Sequence, residues 1–222
     1  MEDAVLRQMR EEWDARARSN AEYFIHVGSE RWEKREFFRS GEINVVNDIM
    51  PDMPRICGGN RSPLDLTMLE IGCGVGRMTR MLARIFGHVT AVDVSEEMIK
   101  RAAENILDLP NVSLIQGNGS GLASLESETH DFAFSWVVFQ HIPSIEVISS
   151  YCHEVYRVLR PGSLFKFQVL GAEWNRDAAD TWNGVSVSEP VARGMCQESG
   201  FSWELSDGAG SQYYWLWFRK PR

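Results

Sequence analysis

Cysteine, positive charge and long apolar runs are all scarce in this sequence. The four cysteines show no C-x-x-C spacing, so the sequence predicts neither a disulfide framework nor a metal site. The formal net charge of −8 argues against a nucleic-acid partner, because such binding depends on dense Lys and Arg. No apolar run approaches the roughly 20 residues that span a bilayer, and the charged start MEDAVLRQMREEWDARA has no signal-peptide core. We therefore expect a cytoplasmic protein without a membrane partner.

The N-terminal part of the chain differs in pattern from the remainder. Val5, Met9 and Trp13 recur every four positions, which predicts an amphipathic helix, and a second helical segment follows up to about residue 50. The stretch PDMPRICGGNRSP contains three prolines and two adjacent glycines and predicts a loop. We therefore predict an N-terminal helical extension and loop over residues 1–62 and a larger domain over residues 63–222.

From residue 64 onward, short apolar runs alternate with helical stretches, which predicts βαβ crossovers and a doubly wound α/β fold. A helix that ends at RPG, where Pro161 and Gly162 are expected to turn the chain, precedes the fifth strand. The last two predicted strands are joined only by DGAGS, and so short a loop allows antiparallel pairing. The predicted strands are LDLTMLEIG, HVTAVDVS, VSLIQGN, DFAFSWVV, SLFKFQVL, FSWELS and QYYWLWFRK.

The stretch LEIGCGVGR, residues 69 to 77, places Gly72, Gly74 and Gly76 directly after the first predicted strand. Glycines at such a strand-to-helix turn let a ligand lie against bare backbone, although they also serve purely structural turns. The dinucleotide pattern G-x-G-x-x-G requires a sixth-position glycine, and Arg77 stands there instead. The spacing G-x-G-x-G suits a nucleoside without a phosphate.

Polar side chains also follow the second and third predicted strands. Asp93 lies 21 positions after Gly72, close to the spacing at which a carboxylate meets ribose hydroxyls. The alternative role of Asp93 is to cap the next helix, but Ser95 is available for that purpose. Asn118 follows the third strand, where an adenine amino group can be bound, and asparagine is also a common turn residue.

In this order the motifs resemble those of class I S-adenosylmethionine-dependent methyltransferases of the small-molecule type, similar to the type 11 methyltransferase domain. The resemblance covers residues 64 to 170 closely and rests on LEIGCGVGR, AVDVSEEMI, LIQGNG, DFAFSWVVFQHI and EVYRVLRPGSLFKF. It implies S-adenosyl-L-methionine as cofactor and a seven-stranded, mainly parallel sheet of order 3-2-1-4-5-7-6, with the last strand antiparallel and helices on both faces. The third motif commonly carries aspartate, whereas this chain has Asn118, whose amide oxygen can still accept a hydrogen bond.

The resemblance also implies the positions of the cofactor residues. The methionine tail is expected near the first motif, the ribose at Asp93, and the adenine near the second and third motifs. Ser135 and Trp136, at the end of the fourth predicted strand, are expected to close the cofactor site. The implied cofactor residues are Glu70, Gly72, Cys73, Gly74, Gly76, Asp93, Val94, Met98, Asn118, Gly119, Ser135 and Trp136.

Further side chains are candidates for the acceptor site. Trp13 and Tyr23 are either part of a lid, as N-terminal helices of this family often form, or plain core. Trp174 and Trp182 lie in the long segment after the fifth strand, which lines the acceptor site in the family. His141 follows the fourth strand and is a candidate general base for a hydroxyl or amine acceptor; its alternative role is packing or capping near Pro143.

The favoured function is methyl transfer to an oxygen or nitrogen atom of a small organic acceptor, mainly by alignment of the reactants. The base-stacking NPPY-type sequence of amino-methylating nucleic-acid enzymes is absent after the fourth strand, where SWVVFQ stands. The paired glutamates of protein arginine methyltransferases are missing as well. Two alternatives stay open: a non-catalytic sensor or partner subunit that binds S-adenosylmethionine or S-adenosylhomocysteine, and a nicotinamide-dependent oxidoreductase, which Arg77 disfavours.

Overall fold

The computed structural model describes residues 2–173 and 180–222. In this part of the chain the helices are α1 (Glu2–Ile25), α2 (Lys34–Asp48), α3 (Met53–Cys57), α4 (Thr79–Ile85), α5 (Glu96–Asn105), α6 (Ile145–Val158) and α7 (Glu189–Glu198). The strands are β1 (Thr67–Ile71), β2 (His88–Asp93), β3 (Val112–Gln116), β4 (His130–Ser135), β5 (Leu159–Val169), β6 (Ser202–Asp207) and β7 (Tyr214–Arg219). Short 3₁₀ turns cover Met50–Asp52, Pro63–Asp65 and Phe139–His141.

The strands form one seven-stranded sheet in the order β3-β2-β1-β4-β5-β7-β6. Strand β7 is antiparallel to both of its neighbours, β5 and β6, whereas β1, β2 and β3 pair in parallel, as do β4 and β5. The predicted fold class, the strand order and the antiparallel last strand are confirmed. None of the helices in the described ranges is long and apolar enough to cross a membrane.

The described residues fall into two compact units. One contains residues 10–117, and the other contains the chain from residue 118 onward together with the first residues of α1. In the first unit, β1 and β2 carry almost continuously buried side chains, as expected for parallel strands. In the second unit, β4 is buried along its whole length, and Phe165 and Phe167 of β5 stack at 4.2 Å. The predicted division near residue 62 stays a prediction.

Helix α1 is interrupted at Asn20, whose backbone is non-helical with φ −163° and ψ 83°. The side-chain oxygen of Asn20 accepts a hydrogen bond from the backbone amide of Tyr23 at 3.2 Å. Asparagine is a preferred residue at helix starts because its oxygen satisfies an otherwise unpaired amide. Asn20 thus starts a second helical segment at the end of α1.

Two local predictions were wrong, and both concern proline. The predicted loop over residues 51–63 contains the helix α3 with Pro54 in its first turn, where a missing amide costs no hydrogen bond. The predicted turn at Pro161 and Gly162 lies inside β5, which starts at Leu159. A register shift between the β4–β5 pairs of His130 and Phe132 accommodates the proline, as β-bulges do.

Candidate cofactor and acceptor sites

The turn after β1 has the conformation that its glycines permit. Gly72, Gly74 and Gly76 have φ values of +77°, +53° and +83°, a region that side chains with a Cβ rarely adopt. The backbone amides of Gly72 and Cys73 both donate to the carbonyl oxygen of Val92 in β2, at 2.7 and 3.1 Å. The first motif therefore forms a tight loop bonded to the neighbouring strand.

Side chains of the same unit approach this loop closely. A Cβ on Gly74 would lie 2.8 Å from Cδ1 of Ile25, and a Cβ on Gly76 would lie 3.3 Å from Cγ2 of Ile106. A Cβ on Gly41 of α2 would lie only 2.3 Å from the carbonyl oxygen of Arg77. The contact with backbone makes glycine necessary at position 41, whereas Gly74 and Gly76 face side-chain atoms and are favoured chiefly by their positive φ.

Arg77, which replaces the third glycine of a dinucleotide loop, attaches the loop to α2. Its Nη1 donates to Oδ1 of Asn44 at 2.8 Å and to Oγ of Ser40 at 3.1 Å. Burial lowers the pKa of the guanidinium to about 10, and the charges of Glu70 and Asp48 partly offset this effect. This side chain therefore has a structural role between α2 and the loop.

The Asp93 carboxylate lies between the glycine loop and the start of α5. Oδ2 accepts from the backbone amide of Gly74 at 2.8 Å, and Oδ1 accepts from the amide of Ser95 at 2.9 Å. Ser95 caps α5 through Met98, as predicted. Burial raises the pKa of Asp93 to about 6, and its backbone hydrogen bonds oppose the shift. A carboxylate accepts about four hydrogen bonds, so Asp93 retains capacity for a ligand hydroxyl beside its bonds to backbone amides.

Glu70 and Cys73 are buried beside the same loop. Oε2 of Glu70 accepts from Oγ1 of Thr79 at 2.6 Å, and burial raises the pKa of Glu70 to about 7; Thr79 and Arg77 lower it and Asp93 raises it. Burial also raises the pKa of the Cys73 thiol well above its usual value. A raised pKa disfavours the nucleophilic thiolate form of Cys73.

Helix α1 covers the predicted adenine side of this unit. Met98 is 1% exposed and belongs to a buried cluster with Ala17, Ala21, Phe37 and Val75, against which Trp13 packs. Val94 and Tyr23 are half-buried, and the Tyr23 ring makes an edge contact with Phe24 at 5.2 Å. Trp13 therefore packs against a buried cluster and also lies on the helix that covers Met98. These contacts are compatible with both predicted roles of Trp13, as part of a lid and as part of the core.

Asp14 of α1 makes a contact with α5 that no sequence pattern predicts. Its Oδ1 accepts from Oγ of Ser95 at 2.6 Å and from the backbone amide of Glu97 at 3.2 Å. The carboxylate therefore lies at the N-terminus of α5, where unpaired amides and the helix dipole favour negative charge. No local sequence pattern indicates this contact, because 81 residues separate Asp14 from Ser95.

In the second unit, Asn118 forms a turn. Its Oδ1 accepts from the backbone amides of Ser120 and Gly121 at 3.0 and 2.9 Å, and Gly119, the next residue after Asn118, has φ +99°. The predicted contact of this oxygen with an adenine amino group stays a prediction. Since the oxygen already accepts two hydrogen bonds, the side-chain NH₂ is the group of Asn118 that can still donate to a ligand.

The end of β4 carries Ser135, which is fully buried, and Trp136, which is half-buried. Val137 follows with φ +56°, an unusual conformation for a β-branched residue. Strained backbone of this kind concentrates at functional sites. Sequence reasoning missed Val137, because nothing in SWVVFQ signals a positive φ.

His141 and Trp182 contact each other in this unit. Nδ1 of His141 lies 2.5 Å from the carbonyl oxygen of Trp182, and Nε2 lies 3.3 Å from Nε2 of Gln140. The imidazole also stacks on the Trp182 indole, with ring centroids 5.1 Å apart. The imidazole is buried. Its predicted role as a base stays a prediction.

A compact turn fixes Trp182 in place. Oδ1 of Asp180 accepts from the backbone amides of Trp182 and Asn183, both at 2.7 Å. A Cβ on Gly184 would lie 2.1 Å from the carbonyl oxygen of Gln140, so this turn is packed directly on the segment that carries His141. Trp174, the other predicted acceptor residue, lies outside the described residues.

The comparisons with known proteins agree with this fold. Residues 69–167 match the family model described as a methyltransferase domain. A 2-methyl-6-phytyl-1,4-hydroquinone methyltransferase of Synechocystis sp. is 30% identical over 131 residues, which cover 58% of this chain and 38% of that protein. A ubiquinone biosynthesis O-methyltransferase of Hydrogenovibrio crunogenus is 26% identical over 138 residues, 61% of this chain and 55% of that protein. The matches therefore span less than two thirds of these relatives.

A solved structure is similar over nearly the whole chain. It is the magnesium protoporphyrin IX methyltransferase of Synechocystis with bound S-adenosylmethionine, which aligns over 97% of each chain with a TM-score of 0.66 and 18% identity. At that identity the likeness concerns the fold. The sheet order defines a doubly wound α/β fold. The family match over residues 69–167 makes this part of the chain similar to methyltransferase domains, in agreement with the resemblance of its motifs to the class I S-adenosylmethionine-dependent methyltransferases.

Proposed function

We propose that this protein transfers the methyl group of S-adenosylmethionine to an oxygen or nitrogen atom of a small organic acceptor. The observation that carries the proposal is the position of Asp93, whose carboxylate is bonded to the amide of Gly74 in the glycine loop at 2.8 Å. This bond supports the proposal, because it joins the predicted ribose ligand directly to the loop that we assign to the rest of the nucleoside. When bound, the cofactor supplies an already activated sulfonium methyl group.

The residues around the glycine loop are suited to this cofactor. Asp93 keeps an acceptor position for a ribose hydroxyl beside its backbone hydrogen bonds, and the buried Glu70 is the carboxyl that we assign to the ammonium of the methionine tail. The loop itself bears no basic side chain that faces a phosphate, since Arg77 is bonded to α2. In the first unit, we assign the adenine to Met98 and Val94; the roles of Asn118, Gly119, Ser135 and Trp136 stay predictions.

The acceptor is assigned to the residues that follow β4 and β5. Trp182 offers an indole held by the Asp180 turn and by His141, and an indole of this kind binds a flat or apolar molecule. Aligning the reactants is worth up to roughly 7–11 kcal/mol, so the transfer needs few catalytic groups. A base at His141 adds about 10²–10⁴-fold only where the nucleophile must lose a proton.

A turnover assay separates the enzyme from a non-catalytic binder. Purified protein is incubated with S-adenosylmethionine and with phenols, aliphatic alcohols, amines and carboxylic acids in turn, and S-adenosylhomocysteine is quantified. Product formation with one acceptor class, lost in Asp93→Ala, supports the proposal. Micromolar binding of the cofactor with no turnover on any acceptor would instead support the sensor or partner-subunit alternative. Turnover on nucleic acid would contradict the small-molecule assignment.

A further inference from the structure

A chain of polar side chains connects β5 to the candidate acceptor residues in the second unit. Gln168 of β5 bonds to Gln140, Gln140 approaches His141, and His141 bonds to Trp182. Gln168 is 0% exposed, and its Oε1 is a buried oxygen with no hydrogen-bond partner in the described part of the chain. Buried side-chain amides normally have hydrogen-bond partners. The partners of Gln168 and Gln140 therefore show which end of each amide is the oxygen and which is the NH₂ group.

The orientation of the Gln168 amide follows from its neighbours. Its Nε2 lies 2.7 Å from the carbonyl oxygen of Val169 and 3.0 Å from that of Gln212. Backbone carbonyls only accept hydrogen bonds, so the atom that faces them must be the NH₂ group. The same NH₂ lies 2.9 Å from Oε1 of Gln140, and therefore the oxygen of Gln140 points to Gln168.

The orientation of Gln140 in turn determines the tautomer of His141. With its oxygen toward Gln168, Gln140 presents its NH₂ group to Nε2 of His141 at 3.3 Å. An amide NH₂ only donates, so Nε2 must carry the lone pair. At the other side of the ring, the Trp182 carbonyl at 2.5 Å from Nδ1 only accepts, so Nδ1 must carry the hydrogen. The two ends of the chain independently give the same neutral tautomer.

We propose that Gln168 and Gln140 are positioning residues that hold His141 as the neutral Nδ1–H tautomer. In the absence of the methyl acceptor, the Gln140 NH₂ donates to Nε2 of His141, and the O–H or N–H group of the bound acceptor takes over this position. This inference rests on the proposed methyl transfer. The 3.3 Å separation is at the long end for a hydrogen bond, so a better donor displaces the amide readily.

The inference names the acceptor class. A hydroxyl or amine has a hydrogen that can be donated to Nε2 in place of the Gln140 NH₂. A carboxylate has only lone pairs, which are repelled by the lone pair of Nε2, so it does not bind there. As the nucleophile forms its bond to the methyl carbon, the electrons of the carbon–sulfur bond pass to sulfur. The proton of the nucleophile passes to Nε2 of His141, which later releases it to solvent. The products are the methylated acceptor, S-adenosylhomocysteine and one proton.

The tautomer is measurable without any acceptor. In protein labelled with ¹⁵N-histidine, the His141 resonances are assigned by their loss in His141→Phe, and their shifts and couplings show which nitrogen carries hydrogen. We expect hydrogen on Nδ1 alone in the wild type. Gln140→Glu replaces the donor by an isosteric acceptor, so we expect Nε2 to become protonated. Gln197→Glu on the exposed side of α7 adds the same charge elsewhere and should leave the spectrum unchanged.

Turnover gives the second readout. On a hydroxyl or amine acceptor, Gln140→Glu should lower kcat at least tenfold with the cofactor Kd unchanged, and Gln197→Glu should match the wild type. Hydrogen on Nε2 in the wild type, or turnover confined to carboxylic acids, would overturn the inference. An Nδ1–H tautomer that changes in Gln140→Glu supports the positioning of His141 even if no acceptor is methylated, and that outcome would overturn the proposed function instead.

Discussion

Asp93 and Gly74 are bonded to each other, side-chain carboxylate to backbone amide, at 2.8 Å. The bond joins the end of β2 to the middle of the glycine loop, so Asp93, the candidate ribose-binding residue, also stabilises the loop conformation. A single carboxylate therefore links cofactor affinity to the structure of the loop, and changes at Asp93 must be interpreted with both roles in mind.

Replacing Asp93 should weaken cofactor binding strongly. Each hydrogen bond from a ribose hydroxyl to a charged oxygen is worth about 1.5–3 kcal/mol, so Asp93→Ala should raise the Kd for S-adenosylhomocysteine more than tenfold in calorimetry. Asp93→Asn keeps an acceptor for Gly74 but loses the charge, and should lie between Asp93→Ala and the wild type. Asn118→Ala removes only neutral contacts and should cost less. Equal affinity in the wild type and a folded Asp93→Ala would remove Asp93 from the site.

Stability and cofactor affinity should respond to pH in opposite directions. The pKa values of Glu70 and Asp93 are raised to about 7 and about 6, above the roughly 4 of exposed carboxyls. Between about pH 4 and 7 the folded protein thus holds more protons at these groups than the unfolded chain does. Their contribution to the free energy of unfolding therefore falls as pH rises through this range, whereas a ligand that needs both carboxylates charged binds more tightly.

Glu70→Gln isolates this effect from the other titrating groups. The difference in urea-unfolding free energy between Glu70→Gln and the wild type should grow in favour of the variant from about pH 4 to 7, because the variant has no charge to bury. The cofactor affinity of the variant should be lower and less dependent on pH. If the two proteins keep a constant stability difference over that range, the Glu70 carboxyl titrates at its ordinary pKa.

The strands, most helices and the residues at the strand ends could be predicted because each depends on a short, local sequence pattern. The apolar runs gave the strands, the LEIGCGVGR glycines gave the loop, and Ser95 was identified correctly as the cap of α5. The helix α3 was missed because proline was interpreted as a breaker, although it is favoured in a first helical turn. The strand course of β5 through Pro161 depends on pairing with β4 and β7, which no local pattern shows.

The tertiary contacts of the candidate sites had no sequence signal. These contacts join residues that are far apart in the sequence or that belong to types without a functional signature. They are the contact of Asp14 with α5, the packing of Gly41 on Arg77 and the amide chain from Gln168 to His141. Glutamines and a mid-helix glycine are normally interpreted as surface or neutral positions. Their roles follow only from distances between elements.

Two helical glycines make a matched pair for testing the packing of α2 on the glycine loop. A Cβ on Gly41 would lie 2.3 Å from the Arg77 carbonyl oxygen, whereas a Cβ on Gly194 in α7 would have no atom within 4 Å. Gly194→Ala should therefore stabilise the protein by about 0.5–1 kcal/mol, the usual gain in helices. Gly41→Ala should destabilise it by about 1–3 kcal/mol through overpacking and weaken cofactor binding. Chemical denaturation of both variants measures the contrast, and stabilisation by Gly41→Ala would show that α2 is free to shift.

Asp14 should control how firmly α1 covers the cofactor side of its unit. Its carboxylate accepts from Ser95 and from the amide of Glu97, so Asp14→Ala removes two bonds that attach α1 to the start of α5. We expect faster proteolysis within α1 and faster release of S-adenosylhomocysteine in stopped-flow fluorescence. The exposed Glu11 on the same helix gives the control variant Glu11→Ala, which changes the charge equally. If α1 is a lid, adding cofactor should suppress the extra proteolysis of Asp14→Ala, because a bound ligand stabilises the covered state. If α1 is only core, Asp14→Ala should lower thermal stability while the release rate matches that of Glu11→Ala, and the lid role of Trp13 and Tyr23 would then be wrong.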